Sequence, residues 1–340
     1  MKCDLLDNCM ICPRKCGVNR NKKELGFCGQ TGKITAAKAY LHAWEEPCIS
    51  GKNGSGTVFF SGCNLQCVFC QNRQIATGEV SKEITKERLS EIFLELQDKK
   101  ASNINLVTPT HFVPLIIPAI ERARNEGLKI PVVYNSSGYE LAETLKSLEG
   151  LIDIYLPDCK YYSDEIAIRY SNAPNYFNIA IAAIDEMLRQ VGEPLFEIKR
   201  STEDKKTEGG ETSDSLNDKT ISASLYNELM EDCEDDYLGP LMKKGVIIRH
   251  LVLPGQINDS KNVVERLLER YRDKVYLSIM NQFTPFGDLS KYPELKNKVE
   301  ESDYEDLIDF AIDNGIENGF FQGEGTDMAS FIPAFDYKGL

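Results

Sequence analysis

Apolar strand-like segments alternate with helix-like segments along most of the chain, and this alternation is the sequence feature that most constrains the fold. Between residues 86 and 100, for example, Leu89, Ile92, Phe93 and Leu96 recur at helical spacing. Further helices are predicted at 112–126, 139–149 and 163–188. Six strands are predicted at residues 56–60, 104–107, 131–134, 151–156, 245–253 and 275–280. Strands that alternate with helices form parallel βα units. The sequence therefore predicts an α/β fold, an open and partial (β/α)6 TIM-like barrel.

Polar residues cluster at or near the carboxyl ends of these predicted strands. The clusters lie at residues 63–70, 108–111, 135–137, 158–160, 249–250 and 281–282. The carboxyl ends of parallel strands meet at one edge of the sheet, where ligands bind. We therefore expect the functional site at this edge, with His111 and Arg249 as candidate catalytic residues. A role as a helix cap or turn residue stays open for each of the clustered residues.

The first cluster contains a C-x3-C-x2-C motif, formed by Cys63, Cys67 and Cys70 within the segment GTVFFSGCNLQCVFCQN. Three thiolates at this spacing can bind three corners of a [4Fe-4S] cluster and leave the fourth iron open, whereas ferredoxin-type clusters take four cysteines. A zinc knuckle and buried free thiols are the alternatives. Zinc sites usually combine a C-x2-C pair with a distant second pair, so the motif favours the iron–sulfur cluster.

This motif, placed in a loop after a strand, resembles the signature of the radical S-adenosylmethionine (radical SAM) superfamily. The resemblance implies a [4Fe-4S] cluster whose open iron binds SAM, and reductive cleavage of SAM to a 5′-deoxyadenosyl radical. It also implies that Phe69 borders the adenine. We expect Asn135 and Ser137 to hydrogen-bond to SAM, and Arg249 to pair with a carboxylate of SAM or of the substrate. An electron donor such as flavodoxin or ferredoxin is the expected partner.

More narrowly, the chain resembles a family known as pyruvate formate-lyase activating enzyme-like. The resemblance extends over nearly the whole chain outside residues 200–239, and the segments that match are CPRKCGVNR, AWEEPCISG, GTVFFSGCNLQCVFCQN, NINLVTPTH, LIDIYLPDCKY, VIIRHLVLPG and ENGFFQGEG. The resemblance to true glycyl-radical activases is weaker. Residues 108–111 read TPTH where activases carry a Gly-Gly-Glu stretch, and Gln71 stands where a histidine is usual.

The predicted function is therefore reductive cleavage of SAM for hydrogen abstraction from an unidentified substrate, either another protein or a small metabolite. The first alternative is an activase that abstracts hydrogen from a backbone glycine of a partner enzyme. The second is an iron–sulfur or zinc protein without catalytic turnover, which would have no need for an open iron or for polar strand ends.

A second group of cysteines lies near the start of the chain, where Cys9, Cys12, Cys16 and Cys28 follow the spacing C-x2-C-x3-C-x11-C. The surrounding segment is too short and polar to bury a hydrophobic core, so a bound metal would stabilise it. Four thiolates suit zinc or a second iron–sulfur cluster. The sequence leaves this choice open, together with the alternative of free cysteines.

Charge and hydropathy define the remaining expectations. The net charge of −14 argues against non-specific binding of nucleic acid. No apolar run approaches the ~18–20 residues of a membrane-spanning helix, and the N-terminus lacks the apolar segment of a signal peptide. We therefore predict a cytoplasmic protein without nucleic-acid or membrane partners.

The predicted organisation is a Cys-rich metal-binding segment at 1–50, a barrel at 51–290 and a C-terminal helix with a closing segment at 291–340. The barrel is expected to contain an acidic, disordered insertion at about 197–236.

Overall fold

A computed structural model describes residues 3–198, 219–231, 233, 235–322 and 333–340. The strands are β1 (Ile34–His42), β2 (Ser55–Phe60), β3 (Lys82–Ile84), β4 (Ile104–Val107), β5 (Val132–Ser136), β6 (Ile154–Pro157), β7 (Leu195–Ile198), β8 (Lys219–Ser222), β9 (Leu241–Leu251), β10 (Tyr276–Met280) and β11 (Gly319–Phe321). The helices are α1 (Pro47–Ser50), α2 (Arg73–Ala76), α3 (Lys86–Asp98), α4 (Val113–Asn125), α5 (Ala142–Lys146), α6 (Asp164–Ser171), α7 (Tyr176–Val191), α8 (Ala223–Met230), α9 (Ile257–Tyr271) and α10 (Glu301–Asp313).

The strands form a mostly parallel sheet in the order β11-β10-β9-β6-β5-β4-β2-β1-β3. The six strands predicted from the sequence are β2, β4, β5, β6, β9 and β10. They are neighbours in chain order and pair in parallel. β11 adds a further parallel strand beside β10, while β1 and β3 are antiparallel at the opposite edge. The predicted α/β fold of the TIM-like barrel type is thereby confirmed.

The pairing register of the strands aligns a row of apolar side chains across five adjacent strands. Val58 of β2 pairs with Leu106, Leu106 with Tyr134, Tyr134 with Tyr155, and Tyr155 with Val246 of β9. All five are fully buried and belong to the large hydrophobic cluster that includes the apolar faces of α3, α4, α7 and α9. Because neighbouring residues of a strand face opposite sides, the alternate positions form a second cluster on the other face of the sheet.

The insertion between β6 and β9 differs from its prediction as a disordered segment. β7 and β8 pair with each other, and β7 also pairs with the first residues of β9. Phe196, Ile221 and Tyr226 are buried in the second hydrophobic cluster with Tyr276, and the rings of Phe196 and Tyr226 stack at 3.9 Å between centroids. These apolar residues order the two ends of the insertion. Residues 199–218, the middle of the predicted insertion, lie outside the described residues.

Both ends of the chain pack against the barrel. Arg20 is buried, and its guanidinium donates to the carbonyl oxygens of Thr31, at 2.7 Å, and of His111. At the other end, residues 333–340 run along β1, where the Ala39 amide donates to the carbonyl of Lys338 at 2.9 Å. The predicted domain boundaries at residues 50 and 290 stay predictions, although β1, which precedes residue 50, belongs to the sheet of the barrel.

No helix within the described ranges is long and apolar enough to cross a membrane.

Candidate functional site

A cavity of about 250 Å³ opens at the carboxyl edge of the parallel strands. The loop after β2 contributes Cys67, Phe69, Cys70 and Gln71 to its wall. The ends of the other strands contribute the residues Asn135, Asp158, Lys160, Arg249, Leu251, Met280 and Gln282. The polar segments that follow the predicted strands therefore do meet at one edge, as parallel pairing requires.

The three cysteines of the C-x3-C-x2-C motif are half-buried at this edge. The Leu65 amide donates to Cys63 Sγ at 3.3 Å, and the Ser171 hydroxyl donates to Cys67 Sγ at 2.9 Å. Burial raises the pKa of each thiol, to about 12 for Cys70, and the proximity of the other thiols raises the pKa of Cys63 and Cys70 further. Thiolates in this position therefore need a positive charge such as that of bound iron.

This donor set fits a [4Fe-4S] cluster. Within the described part of the chain, no three Cys, His, Asp or Glu side chains surround a point where a single metal ion would bind. A cubane does not require such a point, because each of its cysteines binds a different iron. Three neighbouring sulfurs, with hydrogen-bond donors directed at two of them, match ligands that leave one iron open.

The loop that carries the three cysteines is tied to several neighbouring strand ends. The Asn64 side chain donates to the Tyr139 carbonyl at 2.7 Å and accepts from the Ser137 hydroxyl at 3.3 Å. Gln71 donates to the Gln282 carbonyl at 2.6 Å, which joins the loop to the end of β10. These contacts fix the loop over the barrel edge.

Arg249 lies at the centre of a charged cluster that is half-buried at the cavity wall. Its guanidinium donates to Asn135 Oδ1 at 2.6 Å, to Glu45 Oε2 at 3.2 Å and to Asp158 Oδ1 at 3.3 Å. Lys160 donates to the other oxygen of Asp158 at 2.6 Å. Burial alone would raise the pKa of Asp158, but Lys160 and Arg249 reverse this and lower it. The charge of Arg249 is therefore compensated within the protein, so its prediction as an open carboxylate-binding group does not match its surroundings.

The remaining predicted residues divide into two groups. Phe69 and Asn135 line the cavity, and the ring centroid of Phe69 lies 6.1 Å from that of Phe283. Ser137 and His111 are not among the residues that line it. Ser137 holds Asn64, while Nε2 of His111 contacts the Ser61 carbonyl at 2.8 Å.

Burial lowers the pKa of His111 to about 3, so its ring is neutral at physiological pH. The prediction of a catalytic His111 does not agree with this position. The physical reason is that the chain enters a 3-10 helix directly after β4, at Thr110–Phe112, and this turn directs the ring toward the start of the cysteine loop.

Glu45 is a site residue that the sequence prediction missed. It is buried between β1 and α1, accepts from Arg249, and also accepts from the Asn105 amide at 2.8 Å. The adjacent Glu46 is buried as well, and its Oε2 has no hydrogen-bond partner within the described residues. Two adjacent carboxylates before a proline, directly after an apolar strand, were the signal available in the sequence.

The N-terminal cysteines form a second thiol group. Cys9 and Cys12 are buried, while Cys16 and Cys28 are half-buried. The Phe27 amide donates to Cys16 Sγ at 3.3 Å. Burial raises the pKa of Cys12 to about 12, and the neighbouring Cys28 and Cys9 thiols contribute to this rise. The four thiols therefore lie near one another.

Arg14 joins this N-terminal group to the cysteine loop. Its Nε donates to the Asn64 carbonyl at 2.8 Å, and its Nη1 donates to the carbonyl of Asn172. The guanidinium also stacks over the Phe27 ring, with its carbon 3.6 Å from the centroid. Gly62, which has a positive φ of +86°, lets the cysteine loop lie close to the N-terminal segment, because a Cβ at this position would lie 2.7 Å from the Cys28 carbonyl oxygen. The two cysteine groups are thus in direct structural contact.

The fold and the site together define a domain of the radical SAM type. The sequence profile of the radical SAM superfamily matches residues 57–193, a range that begins in β2 and includes all three motif cysteines. These residues belong to the radical SAM superfamily, as the motif predicts. The family's cofactors are a [4Fe-4S] cluster and SAM.

The chain is also similar to several known proteins. The chain is 26% identical over 317 residues to the uncharacterized protein MJ0674 of Methanocaldococcus jannaschii, with 91% of this chain and 75% of that protein covered. Streptococcus suis SuiB bound to S-adenosylmethionine gives a TM-score of 0.44 at 14% identity, over 78% of this chain and 49% of SuiB.

A domain of pyruvate-formate lyase-activating enzyme from Bacteroides vulgatus gives a TM-score of 0.35 at 12% identity, over 62% of this chain and 92% of that domain. The FeFe-hydrogenase maturase HydG from Carboxydothermus hydrogenoformans gives a TM-score of 0.43 at 10% identity, over 81% of this chain and 56% of HydG. The chain spans about half the length of SuiB.

Proposed function

We propose that this protein is a radical SAM enzyme that cleaves SAM reductively and uses the resulting radical to abstract hydrogen from a substrate. The observation that carries the proposal is the position of Cys63, Cys67 and Cys70 beside a polar cavity at the carboxyl edge of the parallel strands. When bound there, the reduced [4Fe-4S] cluster supplies the electron that breaks the sulfur–C5′ bond of SAM.

The residues around the cluster loop supply a positive charge near the thiols and restrict water. Lys160 lowers the pKa of all three cysteines, although burial has the larger and opposite effect. Leu65 and Phe69 pack with Tyr139 and Tyr161 in a hydrophobic cluster behind the loop. This packing limits the access of water and of stray hydrogen donors to a radical intermediate.

Two residues of the cavity wall are suited to hold SAM. Phe69 presents an aromatic edge for the adenine. Asn135 is fixed by its hydrogen bond to Arg249, which leaves its side-chain amide nitrogen for the ribose or the aminocarboxylate. Arg249 is thus a positioning residue for Asn135 and Glu45. Asn135→Ala is expected to weaken SAM binding more than Ser137→Ala.

The N-terminal cysteines are proposed to bind a metal centre, either zinc or a second iron–sulfur cluster. Support comes from their burial, from the amide that donates to Cys16, and from the Arg14 contact to the cysteine loop. Metal bound there would brace the loop that holds the catalytic cluster. Iron, sulfide and zinc measured per chain distinguish the two, and comparison with the Cys12→Ser variant assigns the metal to this site.

The decisive experiment is anaerobic reconstitution with iron and sulfide, followed by SAM and dithionite, with 5′-deoxyadenosine as the product measured. Cys63→Ala, Cys67→Ala and Cys70→Ala should each abolish the product. The matched control is Cys233→Ala, a half-buried cysteine outside both groups, which should retain activity. Flavodoxin or ferredoxin in place of dithionite tests the proposed electron donor.

Product from any of the three motif variants, or no product from a wild-type protein with a full cluster, would contradict the proposed function.

A further inference from the structure

A second lobe of about 290 Å³ adjoins the cysteine-lined cavity. The two share a wall that is formed by Trp44, Glu45, Arg249, Met280 and Gln282. None of the three motif cysteines lines the second lobe, so a ligand there would lie beside the cluster site without occupying it. We call this second space the acidic lobe, defined by its carboxylates Glu45, Glu46 and Asp236.

The acidic lobe carries an excess of negative charge. Arg249 is the only basic residue among its described lining residues, and its guanidinium already donates to Glu45, Asp158 and Asn135. Neither Glu46 nor Asp236 is among the hydrogen-bond acceptors of Arg249, so both carboxyl groups can interact with a ligand. A cleft lined by one sign of charge attracts ligands of the opposite sign.

Glu46 gives this lobe a specific recognition point. Its side chain is buried, and one carboxylate oxygen, Oε2, has no hydrogen-bond partner among the described residues. Ser278 lines the lobe beside this carboxyl group and lowers its pKa. Burial raises the pKa of Glu46 and Arg249 opposes the rise; a cation bound beside this carboxyl group would oppose it further. Buried polar atoms are nearly always hydrogen-bonded, which indicates that a ligand completes this site.

Aromatic side chains form much of the rest of the lobe. Trp44, Tyr237, Phe320 and Phe321 line it together with the three carboxylates. Aromatic faces attract alkylammonium groups and exclude water around them, while a carboxylate accepts their charge-assisted hydrogen bonds. The combination suits a primary amine on an aliphatic chain better than it suits an anion or a neutral polar group.

We propose that the acidic lobe binds the substrate of this enzyme, and that this substrate carries a cationic primary amine that donates to Glu46. The role as a substrate site rests on the proposed radical SAM function, whereas the recognition of an amine does not. The shared wall places such a substrate directly beside the cysteine-lined cavity, which is the arrangement that hydrogen abstraction needs.

Trp44 provides a direct readout, because it is the only tryptophan of the chain and lines the acidic lobe. The reconstituted protein is titrated anaerobically with n-butylammonium, and with 1-pentanol as a neutral probe of similar shape, while tryptophan fluorescence is recorded. Saturable binding of butylammonium and at least about tenfold weaker binding of pentanol are expected. Equal binding of the two probes would overturn the proposal, and this comparison needs no variant.

Variants then locate the amine. Glu46→Gln should weaken butylammonium at least about tenfold, whereas Glu121→Gln, an exposed change on α4, should leave it unaltered. Asp236→Asn, at an exposed position of the lobe, should cause a smaller loss and serves where Glu46→Gln does not fold. Unchanged affinity in either lobe variant would refute the assignment.

SAM added at saturation separates the two sites. Butylammonium should still bind, and competition between the two would show that the lobe belongs to the SAM site and refute the proposal. Amine binding that persists in a protein unable to form 5′-deoxyadenosine would support the recognition site and reject the radical SAM function, so the two failures are distinguishable.

Discussion

Glu140 is a buried carboxyl group that should make the stability of this protein depend on pH. It accepts from the Thr110 hydroxyl at 2.7 Å and from the Tyr134 hydroxyl at 3.2 Å. Burial raises its pKa from an ordinary value of 4.5 to about 7, although hydrogen bonds from Thr110, Tyr134 and Ser136 oppose this rise. The folded protein therefore binds a proton at Glu140 more tightly than the unfolded chain does.

The sign and size of the effect follow from this difference. A raised pKa in the folded state gives stability that is fully present below pH 4.5 and is lost as the pH rises through about 7. Each pKa unit corresponds to about 1.4 kcal/mol, so Glu140 should lower the free energy of unfolding by about 3 kcal/mol between these limits. Glu140→Gln removes the titrating group, and the variant should gain that amount relative to wild type at higher pH.

The measurement is urea denaturation of wild type and Glu140→Gln across about pH 4.5 to 8. The buried histidines His42, His111 and His250 have lowered pKa values and act in the opposite direction, but they are present in both proteins and cancel in the difference. Glu143→Gln, an exposed change on α5, is the control and should show a constant difference from wild type. A difference between wild type and Glu140→Gln that does not change with pH would refute the reasoning.

Three further predictions concern the contacts that hold the site. Arg249→Ala leaves the buried Glu45 without its cation, while Asp158 keeps Lys160, and should lower the free energy of unfolding by about 3–5 kcal/mol in chemical denaturation; a loss below about 1 kcal/mol would contradict the buried ion pair. Gly138→Ala should lower the melting temperature more than Gly127→Ala. Both glycines have positive φ, but only at Gly138 would a Cβ lie 2.1 Å from the Asp158 carbonyl oxygen, whereas at Gly127 nothing lies within 4 Å; equal effects would rule out the steric reason. Arg14→Ala should release iron to a chelator several-fold faster, because the cysteine loop loses a hydrogen bond, and an unchanged rate would show that the N-terminal segment does not brace the loop.

Local sequence patterns were sufficient for the order and type of the main elements. Helical spacing in Leu89, Ile92, Phe93 and Leu96 predicts α3, and all four side chains are buried on one face of that helix. The spacing of the three motif cysteines likewise needs no distant contact to predict a cluster loop. Such patterns are readable because helix and strand periodicities repeat within a few residues. Even the parallel order of six strands follows from their alternation with helices.

Long-range packing determines which groups the polar residues of the site contact. Arg249 was expected to meet a ligand, but Glu45, 204 residues away in the sequence, pairs with it. His111 follows a strand as expected, yet it turns toward Ser61 and away from the cavity. Neither outcome is encoded in the spacing of neighbouring residues.

The ends of the insertion also depend on long-range packing. The strands β7 and β8 form where their apolar residues pack into the second hydrophobic cluster. The sequence alone thus determined the elements and the cysteine motif. Only the tertiary structure decided which charges are compensated and which, such as Glu46, are left for a ligand, since desolvation and pairing depend on groups that the fold brings together.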